Sequence, residues 1–156
     1  MVGKTSLVRR FVDDTFTEDY IRTLGVQLST KQVEVPGTND VVELAIWDIG
    51  RRTSASDSLL KMHFREARGA FVVFDVTREE TFTHVPRWAR YVRSVVPDVK
   101  IVVLGNKCDL PRCVDDSEVE RACEEAASEA FYWTSAKTGE NVDEIFQKMA
   151  NLVVEA

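Results

Sequence analysis

The hydrophobic residues of this chain fall into two patterns that alternate along the sequence. Short uninterrupted apolar runs are typical of strands buried on both faces of a parallel sheet, and they predict strands at residues 69–76, 100–104 and 130–133. Elsewhere apolar residues recur at the spacing of one face of a helix. This spacing predicts helices at residues 5–13, 54–68, 81–96, 117–130 and 141–154. Strands that alternate with helices indicate an α/β fold with a largely parallel sheet.

Turn and cap residues refine two parts of this pattern. The segment 36–40, PGTND, has the composition of a turn and separates two predicted strands, residues 26–35 and 41–47. We therefore expect a hairpin, which adds one antiparallel strand pair to the sheet. Ser117 is the predicted N-cap of helix 117–130, because Glu120 follows three positions later as in a capping box.

Length and composition fit a single domain that spans residues 1–156. The hydrophobic fraction of 44% is enough for a core, and the net charge of −6 without a basic tract argues against nucleic acid as a partner. The three cysteines are scattered, which suits a reducing cytosol. No apolar run approaches the ~18 residues that span a bilayer, and no signal peptide precedes Gly3. We therefore expect a cytoplasmic protein.

The polar residues after run 100–104 carry the first chemical signal. Asn106, Lys107 and Asp109 follow a predicted strand, and open α/β sheets bind their ligands at the carboxyl ends of strands. Guanine presents its N1–H and its 2-amino group side by side, so the Asp109 carboxylate could accept from both. Adenine would leave it unpaired. Lys107 could lay its stem over the base, and Asn106 could tie neighbouring loops to the site. Alone, the segment is equally consistent with a strand that ends in an Asn/Asp turn.

A second strand end supports the nucleotide interpretation. Ser135, Ala136 and Lys137 follow the predicted strand 130–133. Ser135 could hold the Asp109 carboxylate, and the N–H of Ala136 could donate to the guanine carbonyl, which adenine lacks. The tripeptide is common, so it supports a nucleotide site only in combination with Asn106, Lys107 and Asp109.

The start of the chain contains a phosphate-binding signal. Gly3, Lys4, Thr5 and Ser6 match the last part of the P-loop pattern G-x-x-x-x-G-K-[ST]. In that pattern Lys4 would reach the β- and γ-phosphates, and the Thr5 hydroxyl would be a ligand of Mg²⁺. The N-terminus of the helix that follows would face the phosphates.

The order of these motifs resembles the Ras superfamily of small GTPases, and the segment 11–26, FVDDTFTEDYIRTLGV, is most similar to the Rab family. The resemblance covers the whole chain. It implies a Ras-like P-loop GTPase fold, which has three α/β/α layers, a mainly parallel sheet and one antiparallel strand. It also implies a Mg²⁺-dependent guanine-nucleotide switch that hydrolyses GTP to GDP in membrane trafficking or signalling. Effectors, exchange factors and activating proteins would bind through its switch regions.

The resemblance also assigns residues that the motifs leave open. Thr23 corresponds to the switch I threonine, which gives a hydroxyl to Mg²⁺ and a backbone N–H to the γ-phosphate. Phe16 lies seven positions earlier, where the family places an aromatic ring against the guanine edge. Asp48 would contact Mg²⁺ through water. Thr5, Thr23 and Asp48 are therefore the predicted metal-site residues.

Switch II is where the sequence departs from the family. The family pattern is Asp-x-x-Gly-Gln, and an ungapped alignment from Asp48 puts Arg51 and Arg52 at the last two positions. Gly50 could replace the glycine only with a shift of one residue. Arg52 would then occupy the position of the glutamine that orients the attacking water, so we expect slow intrinsic hydrolysis. Lys4, Thr23 and Arg52 are the predicted catalytic positions.

The two ends of the sequence lead to two further predictions. Only Met1 and Val2 precede Gly3, so the first strand of a Ras-like fold is absent. That strand lies between the third and fourth, and its absence would leave a gap in the sheet. We expect a start at an internal Met, with ~10–12 residues, a strand and a loop, preceding it in the biological protein. The chain ends at Ala156 without a cysteine for prenylation. Attachment to the cytosolic face of membranes would need a tail that this sequence lacks.

Two other functions remain open from the sequence. The first is a catalytically inactive scaffold of the same fold, which the departure at switch II and the absent strand favour and the intact base-reading motifs disfavour. The second is a P-loop enzyme that uses ATP, which Asp109 argues against.

Overall fold

The computed structural model describes residues 2–18, 25–50 and 57–155. Helices and strands alternate in this part of the chain as the hydrophobic pattern predicts, and most element boundaries lie within two residues of the expected ones. In chain order the elements are α1 (Lys4–Asp13), β1 (Val26–Glu34), β2 (Val41–Ile49), α2 (Asp57–Phe64), β3 (Gly69–Asp75), α3 (Glu79–Thr83), α4 (Val85–Val95), β4 (Lys100–Asn106), α5 (Asp116–Glu125), β5 (Ala130–Thr134) and α6 (Val142–Val154).

Strands β3, β4 and β5 form a parallel sheet with β4 in the centre. The last residues of the three strands are polar and aligned, because Asp75 pairs with Asn106 and Asn106 pairs with Thr134. Parallel strands end at the same edge of a sheet, so this register gathers polar side chains where ligands of α/β sheets bind.

Strands β1 and β2 form the predicted antiparallel hairpin, in a register that runs from Val26 opposite Ile49 to Glu34 opposite Val41. Within the described residues this hairpin is a separate sheet, without ladder hydrogen bonds to β3, β4 or β5. The break lies between β2 and β3, which correspond to the third and fourth strands of a Ras-like fold. The expected gap in the sheet is therefore present.

The side chains of the three-stranded sheet alternate between two cores, because successive residues of a strand point to opposite faces. Ile101 and Val103 of β4 belong to a core that also contains residues of α4 and α5. Val102 and Leu104 belong to a second core, which α1 and α6 cover. Burial on both faces explains the uninterrupted apolar run and gives the predicted three α/β/α layers.

The hairpin packs on the second core through α1 and α6. Leu44 and Ile46 of β2 lie against this core. The rings of Phe11 and Phe146 stack with their centroids 3.9 Å apart. The Lys31 ammonium lies 4.4 Å from the Phe11 ring centroid and also donates to the Phe11 carbonyl oxygen. These contacts hold α1 between the hairpin and α6.

The predicted helix 81–96 is wrong as a single element, because the structure divides it into α3 and α4 at His84. Pro86 lies in the first turn of α4, and a proline has no N–H for the helical hydrogen bond to the residue four positions earlier. A new helix therefore begins there, where the missing N–H has no cost.

The predicted cap of the fifth helix is also wrong. Asp115, and not Ser117, is the N-cap of α5: its Oδ1 accepts from the Glu118 N–H at 2.9 Å, and the Glu118 side chain accepts from the Asp115 N–H at 2.8 Å. The capping-box spacing occurs twice in this segment, and the earlier copy forms the cap. Helix α5 ends at Glu125 and α2 ends at Phe64, so both end earlier than predicted.

Candidate functional site

The N-terminus of α1 meets the carboxyl edge of the three-stranded sheet, and Asn106 makes the junction. Its Nδ2 donates to the Val2 carbonyl oxygen at 2.9 Å, and its Oδ1 accepts from Thr134 Oγ1 at 3.2 Å. Gly3 has a φ of 94°, and a Cβ at this position would overlap the Asn106 amide. Position 3 therefore needs glycine for its backbone conformation and for this close approach. Asn106 ties two loops together, as the sequence suggested.

The first turn of α1 presents Lys4, Thr5 and Ser6 at this edge. Thr5 Oγ1 donates to Oδ2 of Asp48 at 2.5 Å, which links α1 to the end of β2. Burial lowers the pKa of the Lys4 ammonium, and the Asp48 carboxylate offsets this only in part. A half-buried ammonium beside the N–H groups of a helix N-terminus favours the binding of an anion.

The donor set beside Lys4 fits a magnesium ion. Oδ1 of Asp48 is buried and has no hydrogen-bond partner among the described residues, so it is an oxygen atom that a ligand could satisfy. A carboxylate and a threonine hydroxyl are hard oxygen donors of the kind that Mg²⁺ prefers. Thr23, the third predicted residue of this metal site, lies outside the described residues.

The residues predicted to bind the base come together at the ends of β4 and β5. The predicted hydrogen bond between Ser135 and Asp109 is present: Ser135 Oγ donates to Asp109 Oδ1 at 2.7 Å. The Cys108 N–H donates to the Thr134 carbonyl oxygen at 3.0 Å and joins the two loops. Asp109 is exposed and Ala136 is buried. The carboxylate is therefore held at one oxygen while it faces solvent at the sheet edge.

Asp75 contributes to this site although no sequence motif marked it. Its side chain is 1% exposed, and Oδ2 accepts from the Lys107 ammonium at 2.6 Å. Oδ1 accepts from the Thr77 N–H and hydroxyl at 2.9 and 2.6 Å. Burial alone would raise the pKa of Asp75, but the hydrogen bonds from Lys107 and Thr77 outweigh it and lower the pKa. Asp75 thus holds Lys107, the lysine of the segment predicted to bind the base.

Lys107 itself has a left-handed backbone conformation, with φ of 68°. This conformation is uncommon for a residue with a side chain, and it turns the chain sharply where β4 ends. Such outliers persist where the surrounding contacts over-determine them, and the ion pair with Asp75 is one of those contacts. The sequence signal for this pair is only that both strands end in polar residues, and the register that brings Asp75 beside Asn106 is set by the fold.

The segment after α1 folds back onto the loop that follows β5. The Lys137 ammonium pairs with Glu18 Oε1 at 2.9 Å, and this hydrogen bond raises the pKa of Lys137. Phe16 lies in the same segment and packs, half-buried, against the second core. Arg10 donates to the carbonyl oxygens of Ala136 and Lys137. No sequence pattern indicated these contacts between distant parts of the chain.

Cys108 lies between two predicted site residues but has the wrong protonation state for a nucleophile. Its Sγ donates to Glu140 Oε2 at 3.2 Å. Burial, together with this hydrogen bond, raises the pKa of the thiol to about 12. The thiolate is the reactive form, so a thiol with this raised pKa is a weak nucleophile at neutral pH.

Two of the predicted catalytic residues, Thr23 and Arg52, lie outside the described residues, as does Arg51. Gly50 is the last described residue before switch II, and its N–H donates to the Gly25 carbonyl oxygen at 2.9 Å. This N–H therefore extends the pairing of the hairpin.

Comparison with known proteins gives one family match and several similar proteins. The model of the Ras family matches residues 1–155. The chain is similar to human "Ras-related protein Rab-12", with 35% identity over 153 residues that make up 96% of this chain and 62% of that protein. It is 36% identical over 156 residues to Rab-4 of Dictyostelium discoideum, which covers 98% of this chain and 74% of the relative. The chain thus spans less than two thirds of the length of the Rab-12 relatives.

Proposed function

The chain belongs to the Ras family, and on this premise we propose that it is a Rab-like guanine-nucleotide switch that binds GTP and GDP with Mg²⁺ and hydrolyses GTP. Residues 1–156 form a single GTPase domain in this proposal. The observation that carries it is the Asp109 carboxylate, which Ser135 orients at the carboxyl edge of the sheet.

Asp109 would select the base. A carboxylate that already accepts from Ser135 has lone pairs left for the N1–H and the 2-amino group of guanine. Adenine offers neither donor, so it would leave this charge unpaired, and a site built around such a contact rejects the wrong base strongly. The ion pair with Asp75 would hold the Lys107 stem against the base, and the Ala136 N–H would donate to the guanine carbonyl.

The first turn of α1 would bind the phosphates. Lys4 would place its ammonium against the β- and γ-phosphates, and their charge would reverse the pKa lowering that burial causes. The N–H groups that follow Gly3, including that of Ser6, would cradle the phosphate oxygens. Thr5 and Asp48 would hold Mg²⁺, which supplies positive charge that offsets the charge of the transferring phosphoryl group.

Hydrolysis of GTP would be slow. An arginine donates hydrogen bonds and accepts none, so Arg52 cannot hold a water that must give up a proton. Arg51 adds a Cβ at the position where the family has glycine, which restricts the loop. Gly50 is a weak substitute for that glycine, since its N–H already donates to Gly25. With slow hydrolysis, the GTP-bound state would persist and exchange factors or other partners would set the signal.

Protein effectors, exchange factors and activating proteins would bind the switch regions around Thr23 and Asp48, and the process served would be membrane trafficking or signalling. No helix in the described part of the chain is long and apolar enough to cross a membrane. We propose a cytoplasmic location, peripheral on the cytosolic face of membranes.

Displacement of a fluorescent GDP analogue tests the proposed function. Unlabelled GDP and GTP should displace the analogue, and ATP should compete on the order of 10⁴-fold less well. Asp109→Asn should shift the preference toward xanthine nucleotides, because the amide can donate to the xanthine carbonyl. Asp98→Asn makes the same chemical change at an exposed turn and should leave the preference unchanged. Equal competition by ATP would refute guanine selectivity.

A scaffold of the same fold is the second candidate, and the separation of β2 from β3 in the described residues favours it. A scaffold without nucleotide would give no displaceable fluorescence with any nucleotide, for the wild type as well as for Asp109→Asn. The displacement assay therefore separates the switch from a scaffold that holds no nucleotide, and single-turnover GTP hydrolysis separates it from a scaffold that holds nucleotide permanently.

A further inference from the structure

Arg10, in the last turn of α1, contacts the loop that follows β5. Its Nε donates to the Ala136 carbonyl oxygen at 2.8 Å, and its Nη2 donates to the Lys137 carbonyl oxygen at 2.7 Å. The side chain is only 20% exposed. A guanidinium is planar and presents its donors in a fixed fork, so these two bonds fix two successive peptide planes of the loop.

The hydrogen bond from Arg10 to the Lys137 carbonyl oxygen is connected, through two further hydrogen bonds, to the Asp109 carboxylate. The Lys137 carbonyl and the Thr138 N–H belong to one planar trans peptide, so fixing one fixes the other. The Thr138 N–H donates to Ser135 Oγ at 3.1 Å, and Ser135 Oγ gives its single proton to Asp109 Oδ1 at 2.7 Å. A continuous chain of hydrogen bonds therefore runs from Arg10 to Asp109, and a cation at one end polarises such a chain.

A third contact anchors the other side of the guanidinium. Nη1 of Arg10 donates to Asp14 Oδ1 at 3.2 Å, just after α1 ends. Helix α1 therefore begins with Lys4 and Thr5, which would bind the phosphates and Mg²⁺, and its last turn carries Arg10, which donates to the loop after β5. This geometry connects the two halves of the candidate nucleotide site through one rigid element.

We propose that Arg10 is a positioning residue for guanine selectivity. It orients the Asp109 carboxylate through the Lys137–Thr138 peptide and Ser135. The inference rests on the proposed function and adds to it a residue on the phosphate helix that sets the discrimination between bases.

Nucleotide pairs that differ only at the atoms facing Asp109 test this role. Inosine diphosphate lacks the 2-amino group, so it can make only one of the two hydrogen bonds that GDP makes with Asp109. Arg10→Met should lower the affinity ratio of GDP to inosine diphosphate by about tenfold, since that second, charge-assisted bond depends on the direction of the carboxylate. Arg10→Lys should lower this affinity ratio less than Arg10→Met does. Lysine keeps the positive charge, but its ammonium cannot present the two donors of the guanidinium fork. Arg9→Met is the matched control. Arg9 lies on the same helix but makes no hydrogen bond to this loop in the described residues, so its replacement should leave the affinity ratio unchanged.

Amide hydrogen exchange of residues 134–141 gives a readout that needs no nucleotide. Arg10→Met should speed exchange of the Thr138 amide about tenfold and leave the β4 amides unchanged. Unchanged exchange at Thr138 would overturn the inference. Faster exchange with an unchanged nucleotide ratio would make Arg10 a structural clamp and would also overturn it. A wild-type protein that binds neither nucleotide would refute the proposed function and, with it, any role of Arg10 in selectivity. The exchange rate of the Thr138 amide would still show whether Arg10 holds this loop.

Discussion

Replacing Asp75 with asparagine removes one buried charge and keeps the shape of the side chain. The carbonyl oxygen of the asparagine can still accept from the Thr77 N–H and hydroxyl, which both contact Oδ1 in the structure. The amide nitrogen then takes the place of Oδ2, 2.6 Å from the Lys107 ammonium. Two donors cannot share a hydrogen bond, so the substitution breaks the contact that holds Lys107.

The size of the effect follows from the burial of the two partners. A hydrogen bond to a charged group contributes about 1.5–3 kcal/mol to stability. Asp75 is 1% exposed, but the Lys107 side chain is 37% exposed, so water screens the pair and can solvate the ammonium after the change. We therefore expect Asp75→Asn to lower the free energy of unfolding by about 1.5–2 kcal/mol at pH 7.

The pH dependence identifies the source of this stability. The folded state lowers the pKa of Asp75 from its ordinary value of 3.8, so the folded protein binds fewer protons there than the unfolded chain. Such a group stabilises the fold fully above pH 3.8, and this contribution is lost as the pH falls through the folded pKa. The difference between wild type and Asp75→Asn should therefore be constant between about pH 7 and pH 5 and should shrink below the unfolded value.

Urea unfolding followed by tryptophan fluorescence measures both quantities. Glu80→Gln is the matched control, because it removes one carboxylate from an exposed ion pair with Arg78 and should have no measurable effect. If the difference in unfolding free energy between wild type and Asp75→Asn already changes between pH 7 and pH 5, the folded state raises the pKa of Asp75 instead of lowering it. Equal stability of wild type and Asp75→Asn at pH 7 would refute the role of the ion pair.

Two further changes test the sheet and the candidate site. Gly105→Ala would place a Cβ 2.7 Å from the Trp133 ring and 2.9 Å from the Phe74 ring, so it should cost about 1–3 kcal/mol of stability and lower the melting temperature; an unchanged melt would show that both rings can move. Arg52→Gln restores a side chain whose carbonyl oxygen can accept a hydrogen bond from the attacking water and so orient it, and single-turnover GTP hydrolysis should rise at least about tenfold, whereas Arg51→Gln should change it little. A wild type as fast as Arg52→Gln would contradict the ungapped alignment of switch II.

The sequence determined those features of this protein that depend on neighbouring residues. The run at residues 101–104 indicated a strand buried on both faces, and both faces are covered by helices. Because such strands end at one edge of a parallel sheet, the sequence also predicted that Asp109 and Ser135 meet. The break between β2 and β3 and the Ras family membership were predicted differently, from the resemblance of the motifs to the Ras superfamily.

Only the tertiary structure decided the contacts that join distant parts of the chain. Arg10 reaches Ala136 across 126 positions, and Asp75 meets Lys107 because β3 and β4 pair in a register that puts Asp75 beside Asn106. Hydrophobic periodicity reports which face of an element is buried, but it carries no information about which polar side chain lies opposite another. That information arises when packing fixes the register of the strands and the position of α1, and these same contacts orient the residues of the candidate nucleotide site.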